Sequence, residues 1–517
     1  MSQSVPRLIQ ALLNPAVYDA PVDHVELVET HISWLLLTGK HVYKIKKPVN
    51  LGFLDFTTLE LRRHYCEEEL RLNRRFSPEL YLDVATITGS PNAPRWSATG
   101  VPLEYAVRMA QFDSRARLDR VLARGELTEW HLDQLANVIA QSHLIAAAID
   151  PASLYGQPET LHRQLLRTLD DARTHLPQSL HPQIEHLRVW CERRHVELRP
   201  LLAERRGAGR VRECHGDLHL ENLVLLDGAP RLFDCLEFNP DLRWIDVVCD
   251  LAFTTMDLHA RGRSDFAHRL LDAYIEQTAD DCGLATLSYF QAYRASVRAA
   301  VAGIRAGQEG VAEVARQELI RSAIEYLKLA QRLTRPCSPA VVLMHGLSGS
   351  GKSTISQSLL ESLGTIRLRS DIERRRAPAA DASHGDRYHP DNRAAVYQAM
   401  AQRASAILQA GSPVIIDATF LRRADRAQFQ ALANRLGVPW AIVHSQAPRD
   451  ELERRVYHRQ CHAHDPSDAG LAVLAQQLQE LEPLDADEIG QTVVVDSTDP
   501  DSVSQATVRV AQLCSAG

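Results

Sequence analysis

The segment Gly346-Leu347-Ser348-Gly349-Ser350-Gly351-Lys352-Ser353 fits the pattern G-x-x-x-x-G-K-[ST]. Glycines in such a loop let successive backbone N–H groups turn inward around phosphate oxygens. A helical pattern that starts at Thr354 adds its positive dipole end. Lys352 can then reach the β- and γ-phosphates, and the Ser353 hydroxyl can ligate Mg²⁺. The chemistry indicated is binding of ATP with its Mg²⁺. Three further features point from binding toward phosphoryl transfer. Val414-Ile415-Ile416-Asp417 is an apolar run ending in a carboxylate, placed to hold the Mg²⁺ shell opposite the loop. Asp371, in Arg369-Ser370-Asp371, follows a strand-like run and would face the γ-phosphate region as acceptor of a substrate hydroxyl's proton. Its structural alternative is to cap the helix that follows. Arg455 and Arg459 stand at i, i+4, a spacing that can present two guanidinium groups to phosphates as a lid closes, though paired surface arginines are common.

A second set lies upstream. Cys214-His215-Gly216-Asp217-Leu218-His219-Leu220-Glu221-Asn222 contains H-G-D-x-x-x-x-N, and Asp234 follows Asn222 by twelve residues. Phosphoryl transfer needs one Asp to orient the attacking hydroxyl and take its proton, and an Asn and a second Asp to hold Mg²⁺ against the phosphates. Asp217, Asn222 and Asp234 match those roles in turn. His215 reads as a loop anchor rather than a base. The set also needs a strand lysine held by a helical glutamate. His41-Val42-Tyr43-Lys44-Ile45-Lys46 offers Lys44 and Lys46 on one strand face. Lys44 is slightly preferred because it directly follows Val42-Tyr43. Its partner should be Glu67, Glu68 or Glu69, with Glu69 preferred. No G-x-G-x-x-G precedes this strand and only Gly39 lies nearby, a departure that bears on how ATP is covered. Met109 to Phe112 reads equally as a hinge meeting adenine and as an ordinary linker. Asp246 and Asp250 read as i, i+4 on a helix, with Asp250 supporting the loop.

Both sets need scaffolds to position them. Residues 32–37 and 41–46 flank Thr38-Gly39-Lys40 as a hairpin, and 57–75 reads as a charged helix. The pattern is helical over about 113–205, strand–loop–strand over 211–236, and helical over about 243–334. Thr334 to Pro339 holds two prolines and reads as a linker. Beyond it, strand-like runs at 340–344, 366–369, 414–416, 441–444 and 492–495 alternate with helical patterns, which signals a parallel α/β sheet. Residues 381–392 read as a polar loop over the phosphate loop or an ordinary connection; His384, His389, His458, His462 and His464 lie in polar stretches near the expected lid.

These motifs carry two resemblances. GLSGSGKS, RLRSD, VIIDATF and RRVYHR resemble the zeta-toxin and polynucleotide-kinase-like branch of small P-loop kinases, over about 338–517. That resemblance implies Asp371 as acceptor base, Asp417 in the metal shell, and Arg455 and Arg459 on a lid. The H-G-D form and Asp250-Leu251-Ala252 resemble the aminoglycoside phosphotransferase and choline-kinase-like family, over about 30–330. YKIKKPVNLGFLDFTTLE is similar to bifunctional proteins that fuse the two. The implied architecture is an α+β, protein-kinase-like bilobal fold (N-lobe 1–112, helical C-lobe 113–334), a linker at 335–339, and an α/β P-loop domain at 340–517. The implied activity is transfer of the γ-phosphoryl of Mg-ATP, at each domain, to a hydroxyl of a small sugar, nucleoside or aminoglycoside-like metabolite. Alternatives are a catalytic P-loop domain beside an inactive scaffold or sensor, a nucleotide-dependent switch or ATPase, and a polynucleotide 5′-kinase.

Composition narrows these. Apolar residues make up 45% and charged residues 24%, as in soluble globular proteins. A net charge of −7 argues weakly against a nucleic-acid partner and leaves room for a local basic cleft. The nine cysteines show no ligand spacing, so reduced thiols in a cytoplasmic protein are expected. No apolar run reaches membrane-spanning length, and no pattern bears on oligomeric state.

Overall fold

The computed structural model describes residues 5–50, 52, 54–308, 310–376, 390–461 and 470–515. The chain forms two units, Met1–Ala260 with Tyr289–Arg332, and Arg261–Ser288 with Leu333–Gly517.

The first unit opens with a six-stranded sheet in the order β1-β2-β3-β6-β4-β5. Its strands are β1 (Glu26–Glu29), β2 (Ser33–Leu37), β3 (His41–Lys46), β4 (Tyr81–Ser90), β5 (Ala93–Trp96) and β6 (Glu104–Ala110). All pairings are antiparallel. β2 and β3 form the expected hairpin, closed where Thr38 N–H donates to the His41 carbonyl at 2.9 Å. The helix Leu59–Asn73 starts at Thr58, whose hydroxyl accepts from Leu61 N–H at 3.2 Å. It turns Cys66, Glu69, Leu72 and Asn73 inward. Cys66 packs with Leu80, Tyr81, Val107 and Met109. The polar Glu69 on this apolar face is the first sign of a site rather than a plain core.

The rest of the unit is helical, with Glu129–Ile145, Pro158–His175, His181–Gly207 and Val247–Ala260 as its main early helices. Two short ribbons interrupt it. β7 (Val211–Glu213) pairs with β10 (Trp244–Asp246), and β8 (Leu223–Leu226) pairs with β9 (Ala229–Leu232), both antiparallel. The expectation of helix from about 243 is thereby corrected. Trp244 and Ile245, both suited to a strand, find a backbone partner in β7. Asp246 and Asp250 therefore do not share a helix. Asp246 ends β10, accepts from Val248 N–H at 2.9 Å and holds Arg205 at 2.7 Å.

The second unit holds a five-stranded parallel sheet, β12-β13-β11-β14-β15. Its strands are β11 (Val341–His345), β12 (Ile366–Arg369), β13 (Val414–Asp417), β14 (Trp440–Gln446) and β15 (Thr492–Asp496). β11 and β13 are buried throughout, as strands covered on both faces must be. Val342, Met344, Ile355, Leu359 and Val443 form its core on one face. The carboxyl ends of β11 and β12 lead directly into Gly346 and Ser370, and β13 ends on Asp417. Ligands bind at such strand ends, where the strand order reverses. The fold is thus an N-terminal α+β, kinase-like, bilobal domain and a C-terminal α/β P-loop domain. Residues 261–288 fold with the second unit. Among the described residues no helix is long and apolar enough to cross a membrane.

Candidate functional site

In the first unit, β3 and the helix Leu59–Asn73 bring a charged cluster together. Lys44 Nζ donates to Glu69 Oε1 at 2.8 Å and to Asp234 Oδ1 at 2.5 Å. Lys46 Nζ donates to Glu69 Oε2 at 2.7 Å and to Glu237. Of the three glutamates weighed, only Glu69 reaches the lysines; Glu67 pairs with Arg63 and Glu68 with Arg71. The two lysines share a face but differ in outlook. Lys46 is enclosed, with Glu237 on its far side, whereas Lys44 faces Asp234, whose side chain is 43% exposed. Burial pushes the Glu69 carboxyl up, but the two ammonium groups outweigh it and hold it at about 2. Burial likewise pushes Lys44 down, and the charges of Asp234 and Glu69 more than reverse this, leaving it firmly protonated.

The H-G-D loop is held from behind. Asp250 accepts from His215 N–H at 3.0 Å and Gly216 N–H at 2.9 Å, and lies 3.2 Å from His143 Nε2. A structural carboxylate is therefore what Asp250 provides, from a helix start rather than from a helix shared with Asp246. Gly216 has φ of +85°, and a Cβ there would lie 2.8 Å from the Leu242 carbonyl oxygen, so the turn admits only glycine. His215 is buried, with Nε2 2.8 Å from the Phe233 carbonyl, which ties the loop to the segment leading to Asp234. Burial lowers its pKa, which suits an anchor better than a base.

Asp217 keeps its side chain 32% exposed. Asn222 Nδ2 donates to the Asp217 carbonyl and to its Oδ2, both at 2.9 Å, and His219 Nε2 lies 3.3 Å from the same carboxylate. Burial would push Asp217 up; the charges of His219 and Arg298 outweigh that and keep it below the usual carboxylate range. With its amide hydrogens turned to Asp217, Asn222 has its amide oxygen left for a cation. Asp234 supplies a second, partly exposed oxygen pair. It is fixed by its own N–H donating to the Tyr81 hydroxyl at 2.9 Å and by a left-handed φ of 62°. An amide oxygen beside carboxylates is the hard-oxygen donor set that Mg²⁺ takes.

In the region of Met109 to Phe112, Gln111 N–H donates to the Lys40 carbonyl at 2.9 Å, and its Oε1 accepts from Gly39 N–H at 2.9 Å. The lone glycine before the lysine strand is thus tied to the segment that leaves the sheet.

In the second unit the phosphate loop joins β11 to the helix Lys352–Leu363. Gly349 has φ of +85°, and a Cβ would sit 2.8 Å from the Leu452 carbonyl oxygen. Gly346 and Gly351 also lie at positive φ. Lys352 Nζ folds back to the Leu347 carbonyl at 2.8 Å, and Ser348 N–H donates to Gln477 Oε1 at 2.8 Å. Ser350 Oγ is buried inside this cradle with no hydrogen-bond partner among the described residues, a polar atom of the kind an incoming phosphate satisfies. Ser353 and Thr354 open the helix and are exposed. Asp417 is buried at the end of β13, and Ser356 Oγ donates to its Oδ2 at 3.1 Å.

Asp371 falls in the first turn of the helix Ser370–Arg376 and pairs with Arg374 at 2.8 Å. Arg455, on the helix Arg449–Cys461, donates to the Gly349 carbonyl at 3.2 Å and to Ser497 Oγ at 2.8 Å, so it already touches the loop. Arg459 lies on the same helix; its side chain is outside the described residues. So are His384, His389, His462, His464 and residues 381–389 of the expected loop. His458 is exposed on that helix.

Several residues at these sites carry no signal in the sequence. Glu237 and Tyr81 reach the lysine cluster from far along the chain, and Asn73 Oδ1 receives Cys235 N–H at 2.9 Å. His219 lay inside the motif, and its position two residues after Asp217 was the one available hint.

Comparison with known proteins fits this division. Residues 91–284 match the phosphotransferase enzyme family, and residues 341–484 match an AAA domain. An uncharacterized protein of Mycobacterium tuberculosis (strain H37Rv) is 30% identical over 424 residues, covering 80% of this chain and 81% of its own length, and one of Mycobacterium bovis matches to the same extent. Among solved structures, an amicoumacin kinase bound to AMP-PNP, Ca²⁺ and Ami is 16% identical, with a TM-score of 0.39 over 62% of this chain and 92% of its own. A gluconokinase of Sinorhizobium meliloti 1021 is 24% identical, with a TM-score of 0.28 over 35% of this chain and 96% of its own.

Proposed function

Since the chain belongs to the same family as these mycobacterial proteins and joins a phosphotransferase-enzyme-family domain to a P-loop AAA-type domain, we propose that it is a kinase with two separate active sites, each passing the γ-phosphoryl of ATP to a hydroxyl of a small polar metabolite. One observation carries the reading for the first unit: Lys44 spans Glu69 and Asp234, the arrangement that holds nucleotide phosphates beside a metal-binding carboxylate. For the second unit the support is the glycine cradle with Lys352, Ser353 and Asp417 around it.

In the first site Lys44 would bind phosphate oxygens, with Glu69 setting its direction. Asn222 and Asp234 would hold Mg²⁺. Asp217, kept ionised by His219 and Arg298, would orient the acceptor hydroxyl and receive its proton late in the transfer. A carboxylate held this low is a better orienter than base, which suits a loose transfer in which the hydroxyl loses its proton late. In the second site the N–H groups of the loop from Leu347 to Thr354 would line the phosphates, with Ser348 N–H leaving Gln477 and Ser350 N–H leaving the Leu347 carbonyl to do so. Lys352 would neutralise the transferring group, and Ser353 and Asp417 would hold Mg²⁺. Asp371 would take the acceptor proton, with Arg455, and Arg459 beyond it on the helix, closing over the phosphates. Mg-ATP supplies the transferable phosphoryl group and its charge neutralisation at both sites. Small acceptors in the cytoplasm, rather than polynucleotides, suit a chain of net charge −7.

A second reading, in which only the P-loop domain transfers phosphate and the first domain is a scaffold or sensor, is favoured by the missing glycine-rich loop before β3. One experiment separates the two. Wild-type, Asp217→Ala and Lys352→Ala proteins are incubated with γ-labelled ATP and a metabolite extract, and labelled products are resolved by mass. Two product sets, each lost in one variant, are expected. Products indifferent to Asp217→Ala would leave the first domain without transfer activity, and label released only as phosphate would make the protein an ATPase or switch.

A further inference from the structure

The phosphate loop, β12 and β13 are contiguous with the P-loop motifs, yet part of what fixes them comes from residues 261–288, far upstream of the linker. The helix Ser264–Thr278 and the turn Asp281–Gly283 belong to the P-loop unit. The helix packs against β12, the edge strand of its sheet, and Asp281 in the turn pairs with Arg403 at 2.7 Å.

The contacts of the helix with β12 are ionic and specific. Asp272, 3% exposed, accepts from Arg367 N–H at 2.6 Å and lies 3.8 Å from the Arg367 guanidinium. Arg367 Nη1 reaches the Ser353 carbonyl at 3.3 Å and Ser356 Oγ at 3.2 Å, and Nη2 donates to Gln357 at 2.7 Å. Ser356 in turn donates to Asp417. An unbroken chain of polar contacts thus runs from Asp272 through Arg367 and Ser356 to the carboxylate assigned to Mg²⁺, touching on its way the first turn of the phosphate-loop helix. One helical turn after Asp272, Glu276 grips Arg369, two residues after Arg367, with both oxygens, at 2.7 and 2.5 Å. Arg369 is the last residue of β12, directly before Ser370 and Asp371. Burial drives the Asp272 carboxyl up to about 6 despite the pull of Arg367. A carboxylate is costly at such a position, and an apolar residue would cover a strand edge more cheaply.

We propose that the Ser264–Thr278 helix is a working part of the P-loop active site, in which Asp272 positions the metal side through Arg367 and Ser356, and Glu276 positions Asp371 through Arg369. Neither carboxylate touches substrate; both are positioning residues. This rests on the reading of the P-loop unit as a Mg-ATP-dependent phosphotransferase. It adds that the unit's site is incomplete when the chain is cut at the proline linker.

The test uses the full-length protein and reads the part of nucleotide binding and turnover that Lys352→Ala abolishes. Asp272→Ala is expected to weaken Mg²⁺-dependent ATP binding about 10- to 100-fold, as loss of an outer-shell partner does, while metal-free binding stays within about twofold. Glu276→Ala is expected to lower turnover by about tenfold or more with little change in ATP affinity, because a misplaced acceptor-side group costs rate rather than binding. Glu276→Gln, which keeps the shape and one acceptor, should recover part of that rate. Arg269→Ala, which removes a pair with Glu361 made by the same helix, supplies the control for loosened packing alone. Should Asp272→Ala not fold, Asp272→Asn, which keeps the acceptor for Arg367 N–H but not the charge, takes its place. If Asp272 and Glu276 variants lower the melting temperature like Arg269→Ala but leave Mg²⁺-dependent affinity and turnover at wild-type values, the helix is only a cover and the proposal is wrong. If wild-type protein shows no Lys352-dependent nucleotide binding, the reading beneath it fails first and takes it down.

Discussion

At the P-loop, the groups that would face phosphate belong to eight consecutive residues, and most of them are backbone amides. At the first unit's site, Lys44, Glu69 and Asp234 come from separate elements and meet through side-chain ion pairs, one of them linking residues 190 positions apart, while Asp217 and Asn222 are joined by a hydrogen bond within one loop. A loop of backbone amides depends on conformation and is spoiled by a methyl group. A web of buried charges depends on every partner being present and is spoiled by losing one. Under the proposed reading of two phosphotransferase sites, the same chemical task is therefore exposed to different failures in the two halves of the chain.

The sharpest way to break that comparison is to remove the acting group from each site. Asp217→Ala and Lys352→Ala should each lower their own reaction by about 10³-fold while leaving the other within about twofold, read from product-resolved phosphorylation. Loss of both reactions in either variant would mean the sites are not independent. Next in size is the contrast between the two lysines. Lys46→Ala leaves Glu69 and Glu237 short of a buried partner and should cost about 3–5 kcal/mol in denaturant unfolding. Lys44→Ala should cost less stability, because Asp234 is partly exposed, but should abolish transfer by the first site. Equal stability losses would erase the division of labour between them. Gly349→Ala tests the backbone half: the strained φ and the clash with Leu452 should cost about 1–3 kcal/mol and remove Lys352-dependent nucleotide binding. The smallest effect is on acid stability. Glu69 is held at about 2 against an ordinary 4.5, so the stability it contributes is present at neutral pH and is lost as pH falls from 4.5 through 2. Hydrogen exchange along the helix Leu59–Asn73 should rise over that window in wild type and change less in Glu69→Gln.

Much of the fold was legible because its signals are local. The five apolar runs after the linker became β11 to β15, and Thr38-Gly39-Lys40 became the turn of the β2–β3 hairpin. The helix expected over 57–75 starts at its threonine cap. The misreading at Trp244–Asp246 has a long-range cause, since a strand of three residues exists only because β7 lies beside it. The sites divide in the same way. The phosphate loop is a contiguous pattern, whereas Glu237 is one acid among 65 acidic residues, and nothing near it in sequence says that Lys46 is its neighbour. Asp272 and Glu276 were hidden more deeply, because the periodicity of their helix shows a buried face without saying which unit covers it.

The left-handed backbone at Asp234, with φ of 62°, narrows what can replace it. Only glycine, asparagine and aspartate occupy that region readily. Alanine there would add backbone strain to the loss of charge, and the two costs could not be separated, while asparagine would remove the charge alone. The route by which a protein of this kind falls silent at its first site is narrowed accordingly. Under the proposed role of Asp234, drift toward asparagine or glycine at this position is expected to spare the backbone while weakening the hold on a cation, so inactive descendants should be found by that exchange rather than by damage to the core.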